Sequence, residues 1–268
     1  SRAADNEGPW HVATGSEVHI DPIKQFVITP IVSFGKIGGV DIAFTNSALF
    51  MFAAVGVIFG FLMMATGGRT LVPGRGQSIA EMWYGFIAGI VRDAMGSEGM
   101  KFFPLVFCLF SFVLICNLLG MIPYFFTVTS QIVVTFALAM LVISTVVIAG
   151  VMTHGIHWFG RFVPRGVPAP LLILLVPIEI ISFLSRPLSL SLRLFANMLG
   201  GHIALKVFAY FVVILSSSLG AVGVIAAIGP FAMGIALTAL EFLIAFLQAL
   251  VFALLASIYL NDALHLEH

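Results

Sequence analysis

Four ionisable side chains stand inside long apolar runs: Glu179, Arg186, Arg193 and Glu241. Held ionised against lipid at mid-bilayer, each would cost about 2.5–3.5 kcal/mol, so each must face water, protein or an opposite charge. Glu179, Arg186 and Arg193 recur every seven residues, which puts them on one stripe of a helix. Ser189 lies one turn before Arg193 and Asn197 one turn after it, thickening the stripe into a polar lane. Glu241 and Gln248 repeat the seven-residue spacing further on, with Asp262 fourteen beyond Gln248. The chemistry available to such lanes is proton exchange. The imidazole of His202 and the carboxyl of Glu241 can both take and release protons around neutral pH. The amides of Asn117, Asn197 and Gln248 donate and accept, so they can order a chain of water. An arginine keeps its proton, but it can stabilise a passing carboxylate and repel a passing cation. Plainer roles compete: a buried ion pair for Arg186 with Glu179, a hydrogen-bonded structural histidine, a helix-packing amide for Asn117. For Arg193 no acid stands three or four residues away. That points to an acid supplied by another subunit.

The elements that position these residues are membrane helices. Only 9% of the 268 residues are charged and 60% are hydrophobic, whereas a soluble domain carries about 25% charged residues. No Asp, Glu, Lys or Arg occurs in residues 42–68, 102–160, 207–240 or 242–261. Uncharged runs longer than about 18 residues read as membrane spans. The expected architecture is an all-α polytopic membrane protein. A polar amino-terminal segment covers residues 1–41, and one membrane domain covers 42–268. Spans are expected at about 42–65, 102–126, 131–158, 171–215 and 222–260. Residues 77–95 mix apolar positions with Glu81, Arg92 and Asp93 at helical spacing, which predicts an interfacial amphipathic helix.

The last two apolar stretches would be roughly 58–68 Å long as continuous helices, against ~30 Å of hydrocarbon. Either each hides two spans broken at Pro177, Pro187 or Pro230, or each is one long tilted helix. No polar loop accompanies the prolines, which favours the tilted hairpin. Folded antiparallel about residues 216–221, that hairpin would bring Glu241 level with Ala196–Asn197 and Gln248 within about one turn of Arg193. Arg69, Arg75, Arg92, Lys101, Arg161 and Arg165 fall in loops on one side, and loops 127–130 and 216–221 carry no Lys or Arg. The positive-inside rule then places the amino terminus outside and the carboxyl terminus in the cytoplasm.

Several functions are disfavoured. Formal net charge is zero, so there is no electrostatic case for nucleic acid. No phosphate-binding loop or nucleophile constellation is present, and no cofactor is expected. His154 and His157 lack further ligands nearby, so no metal site is expected. Cys108 and Cys116, in one apolar run, stand too far apart along a helix for a mutual disulfide.

The run Ser189-Leu-Ser-Leu-Arg-Leu-Phe-Ala-Asn-Met-Leu-Gly-Gly-His202 resembles the signature of subunit a of F-type ATP synthases. Phe112–Tyr124, Thr129–Ala139 and Glu241–Tyr259 are similar to other segments of that family, and the likeness runs from Asp21-Pro22 to the carboxyl end. The resemblance implies a long tilted terminal hairpin beside a rotor ring of c subunits, with peripheral-stalk b-type subunits and, indirectly, a soluble ATPase sector. It implies no catalytic site of the chain's own. Arg193 corresponds to the arginine that faces the ring carboxylate and separates two half-channels. Asn197 and Gln248 match polar residues near it. His202 and Glu241 match a pair lining the outer half-channel, in the order found in mitochondria and alphaproteobacteria. Asn117 matches an outer half-channel asparagine, and Glu179 and Ser182 match inner half-channel positions. The implied location is an energy-transducing membrane, bacterial inner membrane before mitochondrial. A self-contained proton-coupled secondary transporter is the alternative, but no internal repeat supports it.

Overall fold

The computed structural model describes residues 26–37, 40–67, 74–122, 125–163, 169–218 and 220–265. The polar segment before residue 26, Arg69 and Arg165 lie outside the described residues. An antiparallel pair of strands, β1 (Pro30–Ile37) and β2 (Val40–Thr45), comes first. Helices follow as α1 (Asn46–Thr66), α2 (Arg75–Met95), α3 (Phe103–Gly120), α4 (Ile132–His154), α5 (Ala169–Ser218) and α6 (Gly220–Leu264). Helices α1, α3, α4, α5 and α6 are long and apolar enough to cross a membrane. The architecture is the expected all-α one, with the hairpin as an addition.

That hairpin shortens the first expected span. Residues 42–45 belong to β2 because the stretch Val40-Asp-Ile-Ala-Phe-Thr45 is rich in β-branched and aromatic residues. The Thr45 hydroxyl then caps α1 by accepting from the Ala48 amide at 3.3 Å. The Asn46 side chain holds the strand entry, accepting from Thr29 N at 3.2 Å and donating to Val27 O at 3.2 Å.

Helix α2 is amphipathic as expected. Ile87, Ala88, Val91 and Met95 recur at helical spacing and enter the main core. A short 3-10 segment, Glu98–Phe102, leads into α3, which ends at Gly120 rather than continuing to 126. Helix α4 stops at Gly155, whose φ of 60° closes the last turn in a conformation that suits a residue without Cβ. A 3-10 stretch, Gly155–Phe162, buries Trp158 behind it.

The two terminal helices are continuous over 50 and 45 residues, with Pro177, Pro187 and Pro230 inside them. Each proline removes one backbone bond, a loss that membrane helices tolerate where neighbours re-satisfy the freed carbonyl. Gly220, at φ 57°, turns α5 back into α6. Helix α6 is the central element, touching α2, α3, α4 and α5. The close approach follows from its sequence: Ala245, Ala249, Ala253, Ala256 and Ala263 are all fully buried. Small residues at this spacing let helix backbones come together, and dispersion rather than water drives the contact. Helix α5, by contrast, leaves one long face uncovered.

Candidate functional site

An enclosed polar group lies where α3, α5 and α6 meet. His202, in the carboxyl-terminal half of α5, and Glu241 on α6 are 7% and 3% exposed, with His202 Nδ1 and Glu241 Oε1 3.6 Å apart. Gly201 makes the approach possible, because a Cβ there would overlap Glu241 Oε1 and stand 3.0 Å from its Cδ. Asn117 on α3, fully buried, donates from Nδ2 to the Ala245 carbonyl at 3.2 Å, one turn of α6 beyond Glu241. The Asn117 Oδ1 and both Glu241 oxygens have no hydrogen-bond partner among the described residues. Buried polar atoms are rarely left so, and water is the usual partner when protein is not.

The register of α5 on α6 corrects the level expected from the sequence. Glu241 stands opposite Gly201 and His202, about one turn from the Ala196–Asn197 level that equal counting from the turn gives. Counting assumes straight, parallel helices, whereas packed helices settle where ridges find grooves. Here the groove is the glycine.

Arg193 has a different setting. It is exposed on the open face of α5 and makes no hydrogen bond or ion pair with any described residue. Ser182, Ser185, Ser189, Ala196 and Gly200 share that face and are exposed too. Asn197 and Gln248 are half-buried and Glu179 is half-buried nearer the start of α5. From Glu179 to His202 is roughly 35 Å along the helix, about one hydrocarbon thickness, with Arg193 between them.

Arg186 does not pair with Glu179. It reaches α6, where its guanidinium lies 3.5 Å from Asp262 Oδ2 and 5.0 Å from the centre of the Tyr259 ring. His154 is bound to the Leu264 carbonyl at 2.9 Å through Nε2, and no metal-holding cluster occurs among the described residues.

Two contributors were not legible in the sequence. Residues 127–130 read as an outer loop, yet all four are buried, with Val128–Ser130 in a 3-10 turn. Within them Thr127 Oγ1 stands 3.1 Å from His202 Nε2. Further in, Thr135 Oγ1 and Ser191 Oγ, 3.1 Å apart, bridge α4 to α5. A hydroxyl in a short loop, like Thr127, or alone in an apolar run, like Thr135, carries no spacing signal that would have found either pair.

The sequence profile of the ATP synthase A chain family matches residues 48–261. The chain is 63% identical to ATP synthase subunit a of Mesorhizobium japonicum over 93% of its length and 98% of that protein. It is 63% identical to ATP synthase subunit a of Xanthobacter autotrophicus over 93% of the chain and 99% of the relative. For ATP synthase subunit a of Agrobacterium fabrum the figures are 61%, 92% and 99%. The chain therefore belongs to the ATP synthase A chain family, as a proton-translocating membrane-sector subunit that works as part of that complex and has no catalytic site of its own.

Proposed function

We propose that the chain is the stator half of a rotary proton path made of two offset half-channels. A proton enters from the outer side through the enclosed group Asn117, His202 and Glu241. It passes to a carboxylate on a rotor ring of c subunits beside Arg193, rides the ring for nearly one turn, and leaves inward past Ser182 and Glu179. Arg193, always charged, favours the ionised form of the arriving ring acid, whose proton passes to water in the inner half-channel, and bars a direct leak between the half-channels. Asn197 and Gln248 flank it and supply hydrogen bonds to water. A leak would waste the gradient, since each proton crossing 100 mV releases about 2.3 kcal/mol.

The observation that carries this reading is the contrast along α5. The acid–imidazole pair at one level is buried inside the subunit, while the arginine two to three turns away is exposed and unpaired among the described residues. An unpaired guanidinium in hydrocarbon is costly, so a partner bearing an acid fits the open face. Serine, alanine and glycine around Arg193 leave room for close helix contact. In this reading residues 1–41 lie outside, the carboxyl terminus lies in the cytoplasm, and peripheral-stalk b-type subunits hold the chain against the turning ring.

Arg193→Ala in membranes holding the whole complex tests the mechanism. Expected are loss of ATP synthesis and of ATP-driven proton pumping, with hydrolysis by the detached soluble sector retained. Normal coupled synthesis in that variant would sink the mechanism.

A further inference from the structure

Thr127 is fully buried between the end of α3 and the His202 ring, and its place is fixed from both sides. Its backbone carbonyl accepts from Ser130 N at 3.2 Å and from Ser130 Oγ at 2.6 Å. Its hydroxyl donates to the Gly120 carbonyl at 3.3 Å. Gly120 is the last residue of α3, so that carbonyl is among those a helix end leaves without an amide partner. The absence of a side chain at Gly120 is what admits Thr127, since a Cβ there would stand 2.7 Å from Thr127 Cγ2.

A threonine hydroxyl has one proton and two lone pairs. A carbonyl can only accept, so the bond to Gly120 uses that proton. Toward His202 Nε2, 3.1 Å away, Thr127 can then only accept. We propose that Thr127 is a positioning residue for proton exchange: it fixes the proton of neutral His202 on Nε2 and so turns the Nδ1 lone pair toward Glu241. The proposal rests on reading His202 and Glu241 as the outer half-channel pair.

The consequence is directional. Nδ1 and Glu241 Oε1 face each other across 3.6 Å as two acceptors, and a proton delivered to the gap bridges them. With the opposite tautomer, Nδ1 would instead donate to Glu241, and the imidazole would offer no acceptor on the side that faces the carboxyl. Among the described residues, the other charged group close to this ring is Lys206, one turn along α5, whose ammonium lies 5.1 Å from the Phe26 ring. Phe26 in turn lies 6.2 Å from the imidazole. Helices α3 and α4 bring no Asp, Glu, Lys or Arg, since residues 102–160 contain none.

The test is nitrogen-15 magnetic resonance of histidine-labelled, fully assembled complex, with His202 assigned by difference against His202→Asn. At a pH where the ring is neutral, the expected state is a protonated Nε2 and a bare Nδ1. A proton found on Nδ1 would overturn the proposal without any further variant. In Thr127→Val the acceptor is gone while the shape is kept, so the tautomer should switch toward a protonated Nδ1 that donates to Glu241. ATP-driven pumping should fall roughly tenfold, the scale of one lost hydrogen bond. Thr127→Ser, which keeps the hydroxyl, should restore both readouts. An unchanged tautomer in Thr127→Val, or a switched tautomer with unchanged pumping, would also overturn it. Failure of the half-channel reading shows separately, as normal pumping in Glu241→Gln.

Discussion

At the scale of single residues, the site depends as much on missing side chains as on reactive ones. Gly201 is the clearest case. Any Cβ at this position must displace the Glu241 carboxyl, the flexible tip of a side chain on the neighbouring helix. Gly201→Ala should therefore leave the chain inserted and the complex assembled, yet slow ATP-driven pumping several-fold by moving Glu241 off His202. Assembly with full pumping would show that the pair tolerates displacement. The Arg186–Asp262 pair belongs to a different class. Its partners are 23% and 39% exposed, so it contributes less than about 1 kcal/mol to stability. Its meaning lies in where it puts a charge, at the end of the terminal hairpin away from the Gly220 turn.

At the scale of elements, α6 is the packing spine and α5 carries the open face. The alanine stripe of α6 lets α2, α3 and α4 close around it, and the core is built from that contact. Helix α4 is locked to its own 3-10 extension by a similar device. Trp158 is 1% exposed and its indole lies over Gly150, so that a Cβ at Gly150 would overlap the indole nitrogen. Overpacking of this kind costs about 1–3 kcal/mol. Gly150→Ala should lower the thermal midpoint of the assembled complex without changing the ratio of protons pumped to ATP hydrolysed. A loss of that ratio would mean that the Trp158 region contributes to the proton path.

For the whole molecule, the uncovered face of α5 and the large apolar residues exposed along α1, α4 and α6 are what a lipid and partner environment would cover. The α5 face is distinguished by its small residues around a single guanidinium. Ala196→Trp would place a bulky ring one turn from Arg193 on a face that is exposed among the described residues. The chain should still insert and fold, but a ring of c subunits should no longer copurify with it. Retention of the ring at normal yield would argue that another face meets the rotor.

The sequence alone determined the class of the molecule and most of its candidate residues. Charge-free runs reveal spans because burying a charge in lipid is costly whatever the fold. Seven-residue spacing reveals a lane because helix geometry is local. The same local rules made α5 and α6 legible as single helices, given that no polar loop accompanies Pro177, Pro187 or Pro230. The strands Pro30–Ile37 and Val40–Thr45 fall partly in the segment 1–41, read only for its polarity, and partly in the first expected span. What the sequence could not supply was contact between elements. The level of Glu241 on Gly201, the crossing of Arg186 to Asp262 and the approach of Thr127 to His202 depend on how side chains interlock. Those fits are decided by shape between residues tens of positions apart, which no periodicity records. The residues able to carry a proton could be named from the chain; which of them share an enclosure, and which faces outward alone, was decided only when the helices packed.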